Sequence, residues 1–426
     1  MLYIPAIFFF ILFLYAKKRN GMMNTGTILP ILYFIMSVGA ILIDVAGAYG
    51  HICPEVHIQP ESAFLYCGLL FITMIPFINN NENQIQRVQV LKKTFFMDII
   101  VYFYFILFIV LLLLIYNDIL RNLAMLAIND NMKADIGYGD IEYTTLTGWK
   151  FYVAQKLRWL SAGSMNVIFI FFYSSCFLKK KKMFYVAAII GSLSICISSL
   201  LMLDRSKFIY WMMTFLLNFV FFYRFMDKRV KKRLISIGGL LTFIIVLYVA
   251  IINIMRFADS TDNGANNQML SYIGQSYLNF CTFNQEYKLT DMFTTMDVMP
   301  LFHTLSGGMA PLDWYNLTEA KSGVFTKCFA TFAGFLLIEI GLPLTILWCV
   351  VYNRIATFVI KRKNVQEVSF FRAYLYMAVI NAVYLGMFGY YYHEIWLNLT
   401  TTLIIVAAYF ASKDNKEKLM PYRKIQ

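Results

Sequence analysis

Charge is the scarcest commodity in this 426-residue chain: only 14% of residues are Asp, Glu, Lys or Arg. Soluble domains carry about 25%, so a water-soluble enzyme of this length is excluded. There is no GxxxxGK[ST] and no GxGxxG after a strand, so nothing cradles a nucleotide phosphate. The seven cysteines form no CxxC and no metal spacing, which argues against a zinc site or a disulfide framework. Cys53 and Cys281 both fall in segments that the predicted topology places outside, where they could pair, but a disulfide between them is not the expectation. Histidine occurs four times, and His51–Cys53–His57 is not a known ligand spacing, so no metal is expected. Internal repeats and low-complexity tracts are also missing, which removes solenoids and disordered tails.

What the chain has is apolar length. Hydrophobic residues make up 60% of it and aromatics 18%. A bilayer core needs about 20 consecutive apolar residues per helix. Eleven spans are read on that basis: 2–16, 27–48, 63–79, 95–116, 160–178, 183–203, 208–226, 234–254, 328–352, 369–388 and 394–411. The first has no basic stretch before it and no small-residue cleavage site after it, so it is expected to stay as a helix. The fold class expected is an all-α polytopic membrane protein forming one integral membrane domain over 1–426.

Lysine and arginine set its expected orientation. With the N-terminus outside, 26 of the 37 basic residues fall in inner segments, while outer loops 49–62 and 389–393 hold none. The excess on one side is the positive-inside pattern. It accounts for the net charge of +13 without nucleic acid, because the basic residues sit in short clusters between spans. The C-terminus is then inside. Two long segments face out: a smaller loop at 117–159 and a large polar loop at 255–327, between spans 8 and 9. The large loop mixes Asp, Asn, Gly, Tyr and Trp and is expected to fold against the membrane. Ile119, Leu120, Leu123 and Leu126 have helical spacing and are read as an interfacial helix.

Any chemistry is expected on the outer face, since the inner loops are short and basic. Arg205 is the sharpest residue there, in the tight hairpin Leu203–Asp204–Arg205–Ser206–Lys207 between two apolar helices. A charged trio at the membrane boundary is costly unless paired or liganded. Arginine offers a planar fork that fits phosphate oxygens, and a helix N-terminus beside it favours the same anion. The plainer alternative pairs Asp204 with Arg205 and lets Lys207 snorkel. Arg256 follows span 8 as a second cation, or as a helix-end residue among headgroups. Glu339 lies inside span 9, either orienting an arginine or completing a structural pair. His303 and His393 lie outside and could take a proton from a hydroxyl. Lys327 is a further outer charge. Tyr277, with Tyr272, Phe280, Trp314 and Tyr315, could stack on sugar rings or anchor at the interface.

Three stretches occur in order: Asp204–Arg205–Ser206 on the hairpin, Tyr272 to Phe280 (YIGQSYLNF) in the large loop, and Thr331–Phe332 followed by Glu339–Ile340–Gly341. With the late outer loop, this resembles the Wzy-type O-antigen and capsule repeat-unit polymerases. Members show an aromatic-rich Tyr-x-x-Gly…Asn-Phe loop and then a span with Asp-Phe-Gly. Here Glu339–Ile340 replaces Asp-Phe, and the Arg-x10-Gly spacing of some members is absent. The resemblance implies a glycosyltransferase that polymerises undecaprenyl-diphosphate-linked oligosaccharide repeats on the periplasmic face of a bacterial inner membrane, without a cofactor. It implies that Arg205 and Arg256 hold the diphosphate, Glu339 orients an arginine and His303 moves a proton. Substrate contacts would come from Asp204, Lys207, Tyr277, Asn279, Lys327 and His393. A flippase and a chain-length regulator are the partners it implies.

Two rivals stand beside it. An O-antigen ligase, or another lipid-linked glycosyltransferase, shares the topology and chemistry but changes the acceptor. A repeat-unit flippase would place polar residues at the bilayer midplane on broken helices, commonly in two repeated halves. This chain has no halves, and its polar residues gather on one side.

Overall fold

The computed structural model describes residues 1–50, 52–90, 95–126, 142–176, 178, 180–257, 264–286, 300–307, 311–326, 328–361, 366–391, 394–414 and 418–420. The chain divides into two compact units. One is built from Met1–Gln84, Asp262–Lys363 and Ala378–Ile395; the other from Ile85–Thr261, Asn364–Met377 and Trp396–Gln426.

Seven helices among the described residues are long and apolar enough to cross a membrane: Thr25–Ala46, Pro60–Gln84, Phe95–Leu126, Lys182–Leu200, Ser206–Phe225, Thr331–Ile360 and Phe370–Met387. The fold is that of an all-α, multi-pass membrane protein. Ser164–Ser175 and Ile395–Phe410 are shorter apolar helices. Tyr3–Asn20 is also apolar until Lys17, Lys18 and Arg19 in its last turn.

In the first unit, Thr25–Ala46 lies between Tyr3–Asn20 and a helix over Gly264–Glu286, while Pro60–Asn79 packs on Thr331–Ile360. The start of Thr25–Ala46 is capped twice. The Asn24 side chain accepts from the Gly26 N–H at 2.8 Å, and buried Glu82 accepts from the Thr25 N–H at 3.4 Å and from the Thr25 hydroxyl. A side-chain cap of this kind is worth about 1 kcal/mol.

Gly264–Glu286 departs from the sequence expectation. It lies within the stretch read as a large loop, and hydropathy does not mark it as a span. Yet Tyr277, Leu278, Phe280, Cys281 and Phe283 are buried. Between lipid-embedded helices the hydrophobic effect gives little, so close contact and hydrogen bonds must hold them. Both are present. A Cβ on Gly274 would stand 2.3 Å from the Gly39 carbonyl carbon, so the two backbones touch. Two of its buried amide side chains are also satisfied within the unit. The Asn279 amide donates to the carbonyls of Ile52 (3.1 Å) and Phe329 (2.9 Å), and Asn284 donates to the Ser62 hydroxyl at 2.8 Å.

Thr331–Ile360 is bent at Gly341, whose φ of +74° only glycine adopts without strain, and Pro343 follows two residues later.

The second unit is centred on Ser164–Ser175. All twelve of its residues are buried. Twelve residues rise about 18 Å, short of the roughly 30 Å hydrocarbon thickness. The span expected at 160–178 is therefore broken: Gly148–Ser161 ends, and a short enclosed helix begins at Ser164. Aromatic contacts hold this core. Tyr173 stacks on Phe222 at 5.8 Å, Trp211 stacks on Phe215 at 5.7 Å, and the Trp211 indole N–H donates to the Ser192 hydroxyl at 2.8 Å.

A small sheet, which an all-α reading does not anticipate, joins three segments of this unit. Arg87–Val90 is its central strand, parallel to Glu367–Val368 and antiparallel to Lys418–Met420, with Val88 opposite Val368 on one side and Met420 on the other. Lys180 and Asp98 form an ion pair at 2.6 Å.

The interfacial helix expected at 119–126 is instead the end of the 32-residue helix Phe95–Leu126. Leu126 and Ile119 are buried there, while Leu120 stays exposed. An exposed interfacial stripe does occur on Gly148–Ser161: Trp149, Tyr152, Val153, Lys156 and Leu160 are placed at i, i+3, i+4, i+7 and i+11, and its apolar members are exposed.

Candidate functional site

The Asp204–Arg205 hairpin is built from the end of Ser194–Leu200 and the start of Ser206–Phe222. The Ser199 carbonyl accepts from the N–H groups of Met202 (3.1 Å) and Asp204 (2.9 Å), closing the turn. Leu203 takes a φ of +51°, a left-handed conformation that costs a leucine free energy. Its side chain shows what holds it there: Leu203 is fully buried against Leu126, with Tyr143, Met202 and Tyr248 around the pair. The Asp204 carboxylate accepts from the Ser206 N–H at 3.0 Å and the Ser206 hydroxyl at 2.7 Å, so it caps the helix that follows. Arg205 comes next and is buried, only 5% exposed. Lys207 is half-buried, with its ammonium 5.8 Å from the Tyr210 ring.

The described part of the expected outer segment 117–159 is stitched to this hairpin. Asn122 donates to the Leu201 carbonyl at 2.8 Å and the Tyr143 carbonyl at 2.9 Å. Buried Asp118 accepts from both Thr144 and Thr145 hydroxyls at 2.6 Å and from the Thr145 N–H at 3.0 Å. Arg121 donates to the Glu142 carbonyl at 3.0 Å and lies 3.9 Å from Asp118. Arg158, on Gly148–Ser161, sets its guanidinium 5.2 Å from the Tyr143 ring centre. Its Nε is buried without a hydrogen-bond partner.

Arg121 and Arg158 thus contact the segment around Tyr143, which itself packs against the Leu126–Leu203 pair. Neither stands out in the sequence. The only signal is an arginine on each apolar helix flank, in Ile119–Leu120–Arg121 and Leu157–Arg158–Trp159.

The other expected residues fall as follows. Arg256 is one residue from the end of Lys228–Phe257, and its side chain lies outside the described residues. His303 sits on the short helix Pro300–Leu305, partly exposed, and its carbonyl accepts from the Ser306 hydroxyl at 2.9 Å. Lys327 and His393 lie outside the described residues.

Glu339 is fully buried on Thr331–Ile360, two residues before the bend at Gly341. Tyr277 is also fully buried. Its ring lies 4.9 Å from that of Tyr66, so it presents no open face on which a sugar could stack. The amide of Asn279 is committed to the two backbone carbonyls described above. These two residues thus build the first unit's interior, where packing against Thr25–Ala46 rather than solvent decided their environment. Cys281 lies beside Tyr277 on the same helix, and all seven cysteines are free thiols.

The fold defines the class, a helical multi-pass membrane protein with an arginine-bearing hairpin. No protein-family model, curated protein or solved structure matches the chain.

Proposed function

We propose that this protein is a lipid-diphosphate-dependent glycosyltransferase that joins oligosaccharide repeats at the outer face of a bacterial inner membrane. The observation that carries the reading is the hairpin: a buried arginine at a helix start. The ordered resemblance to Wzy-type polymerases adds the substrate class, an undecaprenyl-diphosphate-linked glycan.

In this reaction a hydroxyl of the incoming repeat attacks the anomeric carbon of the growing chain. The bond from that carbon to the diphosphate oxygen breaks, and the diphosphate leaves with the electron pair. Charge builds on two groups, an oxocarbenium-like sugar and the departing diphosphate. Fixed guanidinium donors aimed at the leaving group lower the barrier because they need no reorganisation as charge develops. The setting of Arg205 suits that role, because burial strengthens its field and the helix dipole adds to it. Arg256 is assigned as a second cation, Glu339 as a carboxylate that orients a cation, and His303 as the proton carrier for the attacking hydroxyl.

Deleting the gene should leave cells making single lipid-linked repeats that are transferred to an acceptor once but never as long chains. Chain length on a gel, with the lipid-linked pool analysed by mass spectrometry, checks this. Repeats accumulating on the inner leaflet would favour a flippase. Long chains accumulating on the lipid carrier with none on the final acceptor would favour a ligase.

A further inference from the structure

We infer that Gly148–Ser161 is a docking site for the phosphate headgroups of anionic phospholipids, with Lys150 and Lys156 as the residues that select them. The membrane class of the fold and the setting of this helix carry it, whatever reaction the protein performs.

The helix reads GWKFYVAQKLRWLS. It holds three cations, Lys150, Lys156 and Arg158, and neither Asp nor Glu. One face is committed to the protein: Ala154 and Ser161 are buried, and Arg158 sets its guanidinium near the Tyr143 ring. The other face has no such cover. Trp149 is 68% exposed and Tyr152 64%, with Val153 and Leu160 exposed along the same stripe. Lys156 lies within that stripe and Lys150 at its edge, and both are exposed. Among the described residues, no carboxylate pairs with either lysine.

Lys156 is also held in place. Its ammonium lies 3.9 Å from the centre of the Trp159 ring and 5.9 Å from that of Trp396. Those two rings stack at 4.2 Å with 11° between their planes. A cation already fixed over aromatic faces gives up little freedom when it takes an anion.

The chemistry of the face names its occupant. Trp, Tyr, Val and Leu side chains left to water would forfeit their burial, so in a membrane protein they lie in lipid. Trp and Tyr collect at headgroup depth, and lysines beside them reach the phosphate layer. A protein partner fits poorly, because lysine is depleted in protein–protein interfaces. A basic amphipathic helix in this position gains from anionic over neutral lipid, by about five-fold per lysine.

The test uses the full-length protein in vesicles that mix phosphatidylglycerol with an excess of phosphatidylcholine of the same chains. The photoreactive residue p-benzoylphenylalanine replaces Val153, and after illumination the attached lipid is identified by mass spectrometry. The same probe in place of Leu113, exposed within Phe95–Leu126, reports the bulk lipid. Phosphatidylglycerol should be attached at 153 about five-fold or more above its share of the vesicle, and at 113 in proportion to it. The double variant K150Q/K156Q should return the probe at 153 to bulk proportion. Bulk proportion at 153 with both lysines present would overturn the proposal. So would an enrichment that survives K150Q/K156Q, one that is equal at 113, or attachment at 153 to a second copy of the chain instead of lipid. Inorganic phosphate added at constant ionic strength should leave the enrichment unchanged. Its loss there would mean a site for soluble phosphate and would overturn the assignment to lipid. The comparison of 153 with 113 stands even if the double variant fails to fold.

Discussion

Arg205 poses the sharpest question among the single residues. If it only anchors a turn, lysine should replace it, since both side chains carry the charge and snorkel. If it grips a diphosphate through two parallel hydrogen bonds, lysine keeps the charge and loses the fork. Removing one preorganised donor costs roughly 10²–10³ in rate by analogy with oxyanion holes. Arg205→Lys is therefore expected at normal abundance in the membrane with little or no polymer, and Lys207→Arg should be far milder. Chain length measured beside protein abundance checks both. Full-length polymer from a normally expressed Arg205→Lys variant would remove Arg205 from the chemistry. Arg158 makes a second test of the same kind. Arg158→Lys keeps a cation near Tyr143 but gives up the guanidinium fork, and polymer yield should fall if Arg158 helps hold the anion.

Among the helices, Gly264–Glu286 makes the clearest claim. Its polar sequence gives no hydropathy signal, yet it crosses Thr25–Ala46 at a distance only glycine allows. Gly274→Ala would place a methyl 2.3 Å from the Gly39 backbone, and no flexible side chain is there to yield. Overpacking of this kind costs roughly 1–3 kcal/mol. The variant should melt at a lower temperature in detergent than the wild type. Gly68→Ala, which meets nothing within 4 Å, is the control and should leave melting unchanged. Equal melting of the two variants would mean that the helices do not touch at this glycine pair. A sequence reader could see Gly274 in YIGQSY but not its partner, because Gly39 is 235 residues away.

For the molecule as a unit, the outstanding matter is which side each segment faces. The basic residues predict that reporter fusions after Lys182 and Arg233 read cytoplasmic and fusions within 260–320 read periplasmic. A cytoplasmic reading in that last stretch would put the proposed chemistry in the wrong compartment and remove the argument for it.

That the chain is a helical membrane protein is legible without coordinates. Hydropathy is a property of contiguous residues, and about 20 of them suffice to commit a helix to lipid. The Asp204–Lys207 turn is legible too, because the charged trio Asp204, Arg205 and Lys207 between two apolar runs is visible locally. What each element faces is settled only by the packed chain. Ser164–Ser175 reads like any apolar span, and its enclosure on every side comes from neighbours distant in the chain. The polar residues of Gly264–Glu286 could enter the interior because Ile52 and Phe329 supply the carbonyls that Asn279 needs, 227 and 50 residues away. The sheet joins strands beginning at Arg87, Glu367 and Lys418. Burial and hydrogen-bond partnership are set by residues that meet in space, and no window along the sequence contains both members of such a pair.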